Sequence, residues 1–116
     1  WGKDICEFQA VQFMLADMAL RVEAARLLIY RATVNAATGL PVPLEANLAK
    51  CFANQMVREV TGMALQIHGG YGYSKEYPLE RMMRDGWGWG VAGGTIEIQK
   101  VTIASFLLGR RFDQRR

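Results

Sequence analysis

The strongest constraint on the fold is a long first segment in which apolar side chains recur every three or four residues. The recurring side chains are Phe8, Val11, Leu15, Met18, Val22, Ala25 and Ile29. This spacing is that of one face of an amphipathic helix, and the segment lacks proline and is rich in good helix formers. The pattern predicts a helix from about Ile5 to Thr38, roughly 45 Å long at a rise of about 1.5 Å per residue.

Two more long helices and one short helix are predicted downstream. Gly39 and the prolines that follow it interrupt the first pattern, because glycine closes a helix and proline cannot continue it. A second helix is predicted from about Leu44 to His68, a short one from Leu79 to Asp85, and a last one from Ile96 to Leu108. The stripe of the second helix is Ala49, Phe52, Met56, Val60, Met63 and Ile67.

Glycines punctuate the rest of the chain. Gly62 lies inside the second helix, where close approach of another backbone would explain it. Gly86–Gly90 and Gly93–Gly94 are predicted loops, and Thr95 is a predicted N-cap of the last helix. No segment alternates with period two, so the predicted fold is all-α: an up-and-down helical bundle of three long helices and one short one.

Composition excludes several classes of protein. The 116 residues are one domain's worth, and 51% hydrophobic with 22% charged residues fits a folded domain. No apolar run approaches the roughly 20 residues of a membrane helix. His68 is the only histidine, so Ser/His/Asp chemistry is not expected. Cys6 and Cys51 lack metal-ligand spacing, so a zinc site is not expected either. The two cysteines are interpreted as buried or idle thiols.

The ends of the chain also carry information. The chain begins at Trp1 without an initiator methionine or a signal segment, so we interpret 1–116 as one domain of a larger protein whose upstream domains are absent. The net charge is +3, and much of it comes from a short C-terminal arginine tail. That tail has no interleaved aromatic residues, which favours a solvated end over nucleic-acid binding.

Two glycine-rich helix ends are the candidate binding features. Gln66-Ile67-His68-Gly69-Gly70 ends the second helix, where glycines serve either as a C-cap or as exposed backbone that a phosphate approaches closely. Gly93-Gly94-Thr95 opens the last helix, as a plain N-cap or as an anion site. His68 is interpreted as packed or hydrogen-bonded, and Trp87 and Trp89 as anchors of a loop rather than a ligand surface.

Six motifs follow one another along the chain. They are Trp1-Gly2-Lys3 with Glu7-Phe8-Gln9-Ala10-Val11-Gln12, Leu15-Ala16-Asp17-Met18-Ala19, Gln66-Ile67-His68-Gly69-Gly70-Tyr71-Gly72-Tyr73, Glu76-Tyr77-Pro78-Leu79-Glu80-Arg81 with Arg84-Asp85, Gly94-Thr95-Ile96-Glu97-Ile98-Gln99, and Leu107-Leu108-Gly109-Arg110. In this order they resemble the C-terminal helical domain of the acyl-CoA dehydrogenase family of flavoproteins. The corresponding family patterns are FGK…Q, Q-x-x-GGxGY, EYPxER…RD, GT-x-E-I-Q and LLGR.

The resemblance implies functional roles for residues at both glycine-rich ends. It implies FAD contacts at Gln9, Gln66, Ile67, His68, Gly69, Gly70, Thr95, Ile96 and Glu97, and an acyl-CoA contact at Gly94. The contacts at Gln9 and Gln66–Gly70 would reach the FAD of a neighbouring subunit, in a homodimer or tetramer. The implied partners are acyl-CoA and an electron-transfer flavoprotein, without nucleic acid or membrane, in a bacterial cytoplasm or mitochondrial matrix.

The implied reaction is α,β-dehydrogenation of an acyl-CoA thioester, in which a carboxylate removes the α-proton. Many members carry that glutamate where this chain has Gly93, so the catalytic residue is unknown here. Some relatives place it on an earlier helix, which would precede Trp1, and the 116 residues alone are expected to be inactive. A Glu introduced at position 93 is expected to lie beside the substrate α-carbon. The alternatives are an acyl-CoA-binding flavoprotein with another activity and a non-enzymatic helical interaction module.

Overall fold

A computed structural model describes residues 1–36 and 39–112. Its helices are α1 (Gln9–Asn35), α2 (Pro43–His68), α3 (Gly70–Tyr73), α4 (Leu79–Trp89) and α5 (Ile96–Leu107), preceded by a 3-10 turn at Ile5–Glu7. These residues contain no strand, and the all-α prediction is confirmed. The predicted end of the first helix at Thr38 and most of the arginine tail lie outside the described residues.

The helices are arranged around α2. Every other α-helix packs against α2, α3 also touches α4, and within the described residues α1 packs on neither α4 nor α5. α1 runs antiparallel to α2, since Arg31 Nε lies 2.8 Å from Glu45 Oε1 near one end of the pair and Arg21 pairs with Glu59 farther along. The result is an elongated, open bundle with extents of 58 × 31 × 25 Å.

Small side chains form the core. The buried apolar residues are Ala25, Ala32, Ala49, Cys51 and Ile96. Alanines on facing helices let the backbones of α1 and α2 approach closely, so the buried face of α1 is centred on Ala25 and Ala32. The predicted stripe was wrong at Leu15 and Ile29, which lie at the margin of this face and are 44% and 45% exposed.

α1 carries a second apolar row on the side opposite α2. Phe13, Leu20, Leu27 and Val34 are 61%, 70%, 58% and 75% exposed and are spaced seven residues apart. A seven-residue spacing keeps side chains on one line along a helix with a slow drift. α1 therefore has apolar side chains on two opposite sides, and only one of them is covered within the described residues.

The first helix begins later than predicted. Ile5–Glu7 forms a 3-10 turn, Phe8 is extended with φ −83° and ψ 126°, and α1 starts at Gln9. The Asp4 N–H donates to the Glu7 carboxylate at 3.0 Å. This local bond holds the turn apart from the helix, an arrangement that the apolar spacing alone does not reveal.

The prediction of a loop at Gly86–Gly90 was also wrong, because α4 continues to Trp89. Gly86 is buried against α2, where a Cβ would lie 3.3 Å from Val57 Cγ2, and a Cβ on Gly90 would collide with the Arg58 guanidinium. These glycines therefore allow α4 to pack closely on α2. The explanation offered for Gly62 does not hold within the described residues, since a Cβ there would meet nothing within 4 Å.

Candidate functional site

The end of α2 turns sharply at Gly69. This residue has φ 56° and ψ −136°, a conformation that favours glycine, and its N–H donates to the Gln66 carbonyl at 3.1 Å. Gly72, two residues into α3, is buried against the last turn of α2. A Cβ on Gly72 would lie 2.7 Å from the Leu65 carbonyl oxygen. Two of the three glycines in this turn thus serve the fold of the chain itself.

Gly70 is different. Its φ is not in the left-handed region, it is exposed, and a Cβ there would meet nothing within 4 Å. Neither backbone conformation nor packing within the described residues requires glycine at this position. Gln66, His68 and Gly69 are exposed beside it. The backbone at Gly70 is therefore open to a molecule outside this chain.

His68 contributes to this turn through a hydrogen bond. Its Nδ1 lies 2.9 Å from the Ala64 carbonyl oxygen. A carbonyl only accepts, so Nδ1 carries the proton and Nε2 of a neutral ring is left as an acceptor. This agrees with the interpretation of His68 as a hydrogen-bonded residue, and it orients the exposed ring edge at the end of α2.

Gln9 lies at the same end of the molecule as this turn. α1 and α2 have 27 and 26 residues and run antiparallel, so the start of α1 lies near the end of α2. Gln9 is the first residue of α1 and its side chain is exposed. The structure therefore brings Gln9 and Gln66–Gly70 to one end, as the resemblance requires of residues that share one ligand.

The connection between α4 and α5 is held by two basic side chains of α2. Lys50 Nζ donates to the Ala92 carbonyl oxygen at 3.0 Å and also to that of Gly93. Arg58 Nη2 donates to the Trp87 carbonyl at 3.3 Å, and its guanidinium lies 4.2 Å from the centroid of the Trp87 ring. The Trp87 ring thus packs against a basic side chain of α2. The interpretation of Trp87 and Trp89 as anchors of a loop was wrong, since both lie on α4 and are 54% and 68% exposed.

The orientation of these carbonyls fixes the direction of the N–H groups on the opposite side of the connection. In a trans peptide the C=O and the following N–H point in opposite directions, and the described residues contain no cis bond. With the Ala92 and Gly93 carbonyls on Lys50, the N–H groups of Gly93 and Gly94 point away from it. Successive N–H groups on one side form an anion- or carbonyl-binding concavity.

Both glycines of this concavity have left-handed backbones. The φ angles are 63° at Gly93 and 99° at Gly94. A Cβ at position 93 would lie 3.0 Å from Lys50 Nζ. A side chain introduced there would crowd the ammonium and would need a backbone conformation that favours glycine. The expectation that a glutamate at position 93 lies beside a substrate α-carbon stays a prediction.

Thr95 and Glu97 organise the start of α5. The Thr95 hydroxyl accepts a hydrogen bond from the Ile98 N–H at 3.3 Å, which confirms the predicted N-cap. The pKa of Glu97 lies below its ordinary value because its carboxylate accepts from its own backbone N–H and from the Thr95 hydroxyl. Ile96 between them is buried, with 4% of its surface exposed. Glu97 is therefore an ionised group at a helix start, not a proton acceptor of raised pKa.

The two glycine-rich ends lie far apart. The Cys51 Sγ lies 4.0 Å from the Ile96 carbonyl oxygen, so α5 begins beside the first half of α2. From Cys51 to His68 is 17 residues of continuous helix, or about 26 Å at about 1.5 Å per residue. The structure does not bring Gln66–Gly70 and Gly94–Glu97 together within one chain.

The comparison with known proteins decides the family. The family profile described as acyl-CoA dehydrogenase, C-terminal domain, matches residues 1–108. The chain belongs to the acyl-CoA dehydrogenase family. The resemblance of its six motifs to this family is thereby confirmed.

Individual relatives cover 93% or more of the chain. A relative named 3-sulfinopropanoyl-CoA desulfinase, from Paraburkholderia xenovorans, is 43% identical over 116 residues, covering 100% of this chain and 30% of the relative. Subunit CarC of the caffeyl-CoA reductase-Etf complex of Acetobacterium woodii is 44% identical over 108 residues, covering 93% of this chain and 28% of that subunit. The solved structure of butyryl-CoA dehydrogenase from Megasphaera elsdenii has a TM-score of 0.89 at 44% identity, with 93% of this chain and 28% of that chain covered. This chain spans less than a third of the length of each relative.

Lys50 and Arg58 are the functional candidates that sequence reasoning missed. Lys50 reaches residues 42 and 43 positions away, and no local spacing signals such a contact. Among residues 1–36 and 39–112, no helix is long and apolar enough to cross a membrane, and no group of three or more His, Cys, Asp or Glu side chains converges as metal ligands.

Proposed function

We propose that this chain is the helical C-terminal part of an FAD-dependent acyl-CoA dehydrogenase, an enzyme that removes the α- and β-hydrogens of an acyl-CoA thioester. The observation that carries the proposal is the pair of N–H groups at Gly93 and Gly94, which face away from Lys50. Two N–H donors on the same side of the chain can stabilise negative charge that develops on a carbonyl oxygen. A thioester carbonyl held there becomes a better electron acceptor, and its α-proton becomes more acidic.

The residues proposed to hold FAD fit a dinucleotide. Gly70 offers backbone with open space in front of it, and Gln9 and Gln66 place amide groups at the same end of the molecule. Thr95 and Glu97 add polar groups at the start of α5. Bound FAD supplies the redox chemistry, since it accepts the β-hydrogen as a hydride. The residues of this chain bind and orient, and they do not themselves carry electrons.

The distance between the two ends supports an oligomer. Gln66–Gly70 and Gly94–Glu97 are separated by about 26 Å of α2, so we propose that the α2 end serves the cofactor of a neighbouring subunit in a homodimer or tetramer. The exposed row of Phe13, Leu20, Leu27 and Val34 on α1 supports an assembly that covers it. The relative from the caffeyl-CoA reductase-Etf complex supports an electron-transfer flavoprotein as the redox partner.

The base that removes the α-proton is proposed to lie outside these 116 residues. Gly93 has no side chain, and Glu97 lies four residues further on and is held at the helix start by Thr95. This observation also favours a second candidate function: a flavoprotein that binds acyl-CoA and carries out another reaction. The desulfinase relative, which covers the whole chain, supports that alternative.

One titration separates these functions. The longer protein that carries this chain is purified, its FAD content is measured, and acyl-CoA thioesters of increasing length are added without oxygen. Loss of the oxidised flavin absorption with at least one thioester is the expected result. A yellow protein that binds acyl-CoA but is reduced by no thioester establishes the second candidate. A colourless protein that takes up no FAD overturns both and leaves a helical interaction module.

A further inference from the structure

We propose that Lys50 is a positioning residue: it holds the peptide groups of Ala92 and Gly93 so that the N–H groups of Gly93 and Gly94 face the acyl thioester. The inference deepens the proposed function and rests on it. Lys50 lies on α2, outside every motif that identifies the family in this sequence. Its ammonium does not face the substrate side of the connection.

The first argument is the geometry of the contact. One ammonium receives two successive carbonyl oxygens, those of Ala92 at 3.0 Å and of Gly93. An ammonium has three N–H donors, and its charged hydrogen bonds are roughly twice as strong as neutral ones. Because both peptides are trans, fixing their carbonyls fixes the direction of the two N–H groups behind them.

The second argument is that this connection needs an external support. Gly93 and Gly94 have positive φ and are followed directly by the start of α5. Glycine has the widest choice of backbone conformations, so two in succession define no single orientation of their peptides. A lysine anchored in a 26-residue helix provides a fixed reference for them. A Cβ at position 93 would lie 3.0 Å from the ammonium, so the glycine also leaves room for this contact.

The test compares variants of the longer flavoprotein that carries this chain. Lys50→Met removes the ammonium but keeps most of the side-chain length, and Lys50→Arg keeps a donor group. Lys100→Met is the matched control: it removes a charge within electrostatic reach of Cys51 and Glu97 without breaking the Lys50 bonds. The measurements are FAD content, kcat, KM, the acyl-CoA-induced change in flavin absorption, and amide hydrogen exchange at Gly93 and Gly94.

In Lys50→Met we expect kcat to fall about 100-fold, the loss typical of a misplacement of about 1 Å at a reacting centre. KM should change less than kcat, because the N–H pair acts mainly on the transition state. The acyl-CoA-induced flavin change should shrink, and exchange at Gly93 and Gly94 should accelerate even without substrate. The kcat of Lys50→Arg should recover to within about tenfold of the wild-type value. The kcat of Lys100→Met should equal the wild-type value.

The test distinguishes failure of the proposed function from failure of this inference. A wild-type protein without flavin overturns the proposed function and this inference with it. An active wild type in which Lys50→Met equals Lys100→Met in all five measurements overturns the inference alone. If Lys50→Met fails to fold, Lys50→Gln replaces it, because its amide is uncharged and one bond shorter and cannot keep both carbonyl contacts. Unchanged exchange at Gly93 and Gly94 in that variant also overturns the inference.

Discussion

Gly70→Ala tests whether the exposed end of α2 is a binding site, because it separates stability from ligand binding. A Cβ at this position meets no heavy atom within 4 Å and the backbone φ is not left-handed. Alanine in such a position restricts the unfolded chain and stabilises by about 0.4–1 kcal/mol. The free energy of unfolding should therefore stay constant or rise slightly.

The neighbouring glycines set the scale for this prediction. At Gly69, with φ 56° and ψ −136°, alanine costs about 1–3 kcal/mol of backbone strain. At Gly72 the added methyl group lies 2.7 Å from the Leu65 carbonyl oxygen and 2.9 Å from His68 Cβ, so α3 must move off α2. We expect overpacking there to cost about 1–3 kcal/mol. Three glycines within four residues should thus give three different stability changes.

The assay for Gly70→Ala combines denaturant unfolding with FAD binding in the longer protein. A methyl group in the space through which the cofactor approaches the backbone should weaken FAD binding at least tenfold, or about 1.4 kcal/mol. Gly88→Ala is the control, since Gly88 is also helical, exposed and without a heavy atom within 4 Å of an added Cβ. Its FAD affinity should equal that of wild type. An unchanged affinity in Gly70→Ala, or a stability loss equal to that of Gly69→Ala, would refute the reasoning.

Three further predictions concern the polar groups and thiols. Thr95→Ala removes the N-cap of α5 at a cost of about 1 kcal/mol, and it raises the pKa of Glu97, which an NMR titration measures. Because the folded pKa of Glu97 is lowered, the ionised side chain contributes stability that is present above the unfolded pKa and lost as pH falls through the folded pKa. In the variant the folded pKa lies closer to the unfolded one, so this loss should be smaller and should be complete at a higher pH. Glu45→Ala removes a buried carboxylate that accepts three hydrogen bonds from α1, and thermal unfolding should show a loss of about 1.5–3 kcal/mol. Burial raises the pKa of the Cys51 thiol, so Ellman's reagent should modify exposed Cys6 at once and Cys51 only on unfolding.

The long helices were predictable because their apolar periodicity is local. The structural roles of the glycines were not predictable, because glycine occurs in turns, in open positions and in close helix contacts alike. Gly86 was assigned to a loop, yet it lies in a helix because Val57 of α2 packs against it. Gly69, Gly70 and Gly72 look alike in the sequence. The positive φ of Gly69, the open space at Gly70 and the contacts that an added Cβ would make at Gly72 distinguish them in the structure.

Part of the candidate site was predictable because its signals are local in the sequence. The spacing of Gly93, Gly94 and Thr95 before an apolar run indicates a helix start, and the N-cap is present. The contact from Lys50 to Gly93 joins residues 43 positions apart. Such a contact depends on how α5 packs against α2, which a pattern of neighbouring residues does not contain.

The central place of α2 has a mechanical consequence. α1 touches neither α4 nor α5 within the described residues, so the Gln9 end is joined to the Gly93 connection through α2, either directly or by way of α3 and α4. A continuous hydrogen-bonded helix transmits displacement along its axis as a stiff rod does. α2 therefore acts as a spacer that holds the two glycine-rich ends about 26 Å apart, and a kink in its middle would change the position of one end relative to the other.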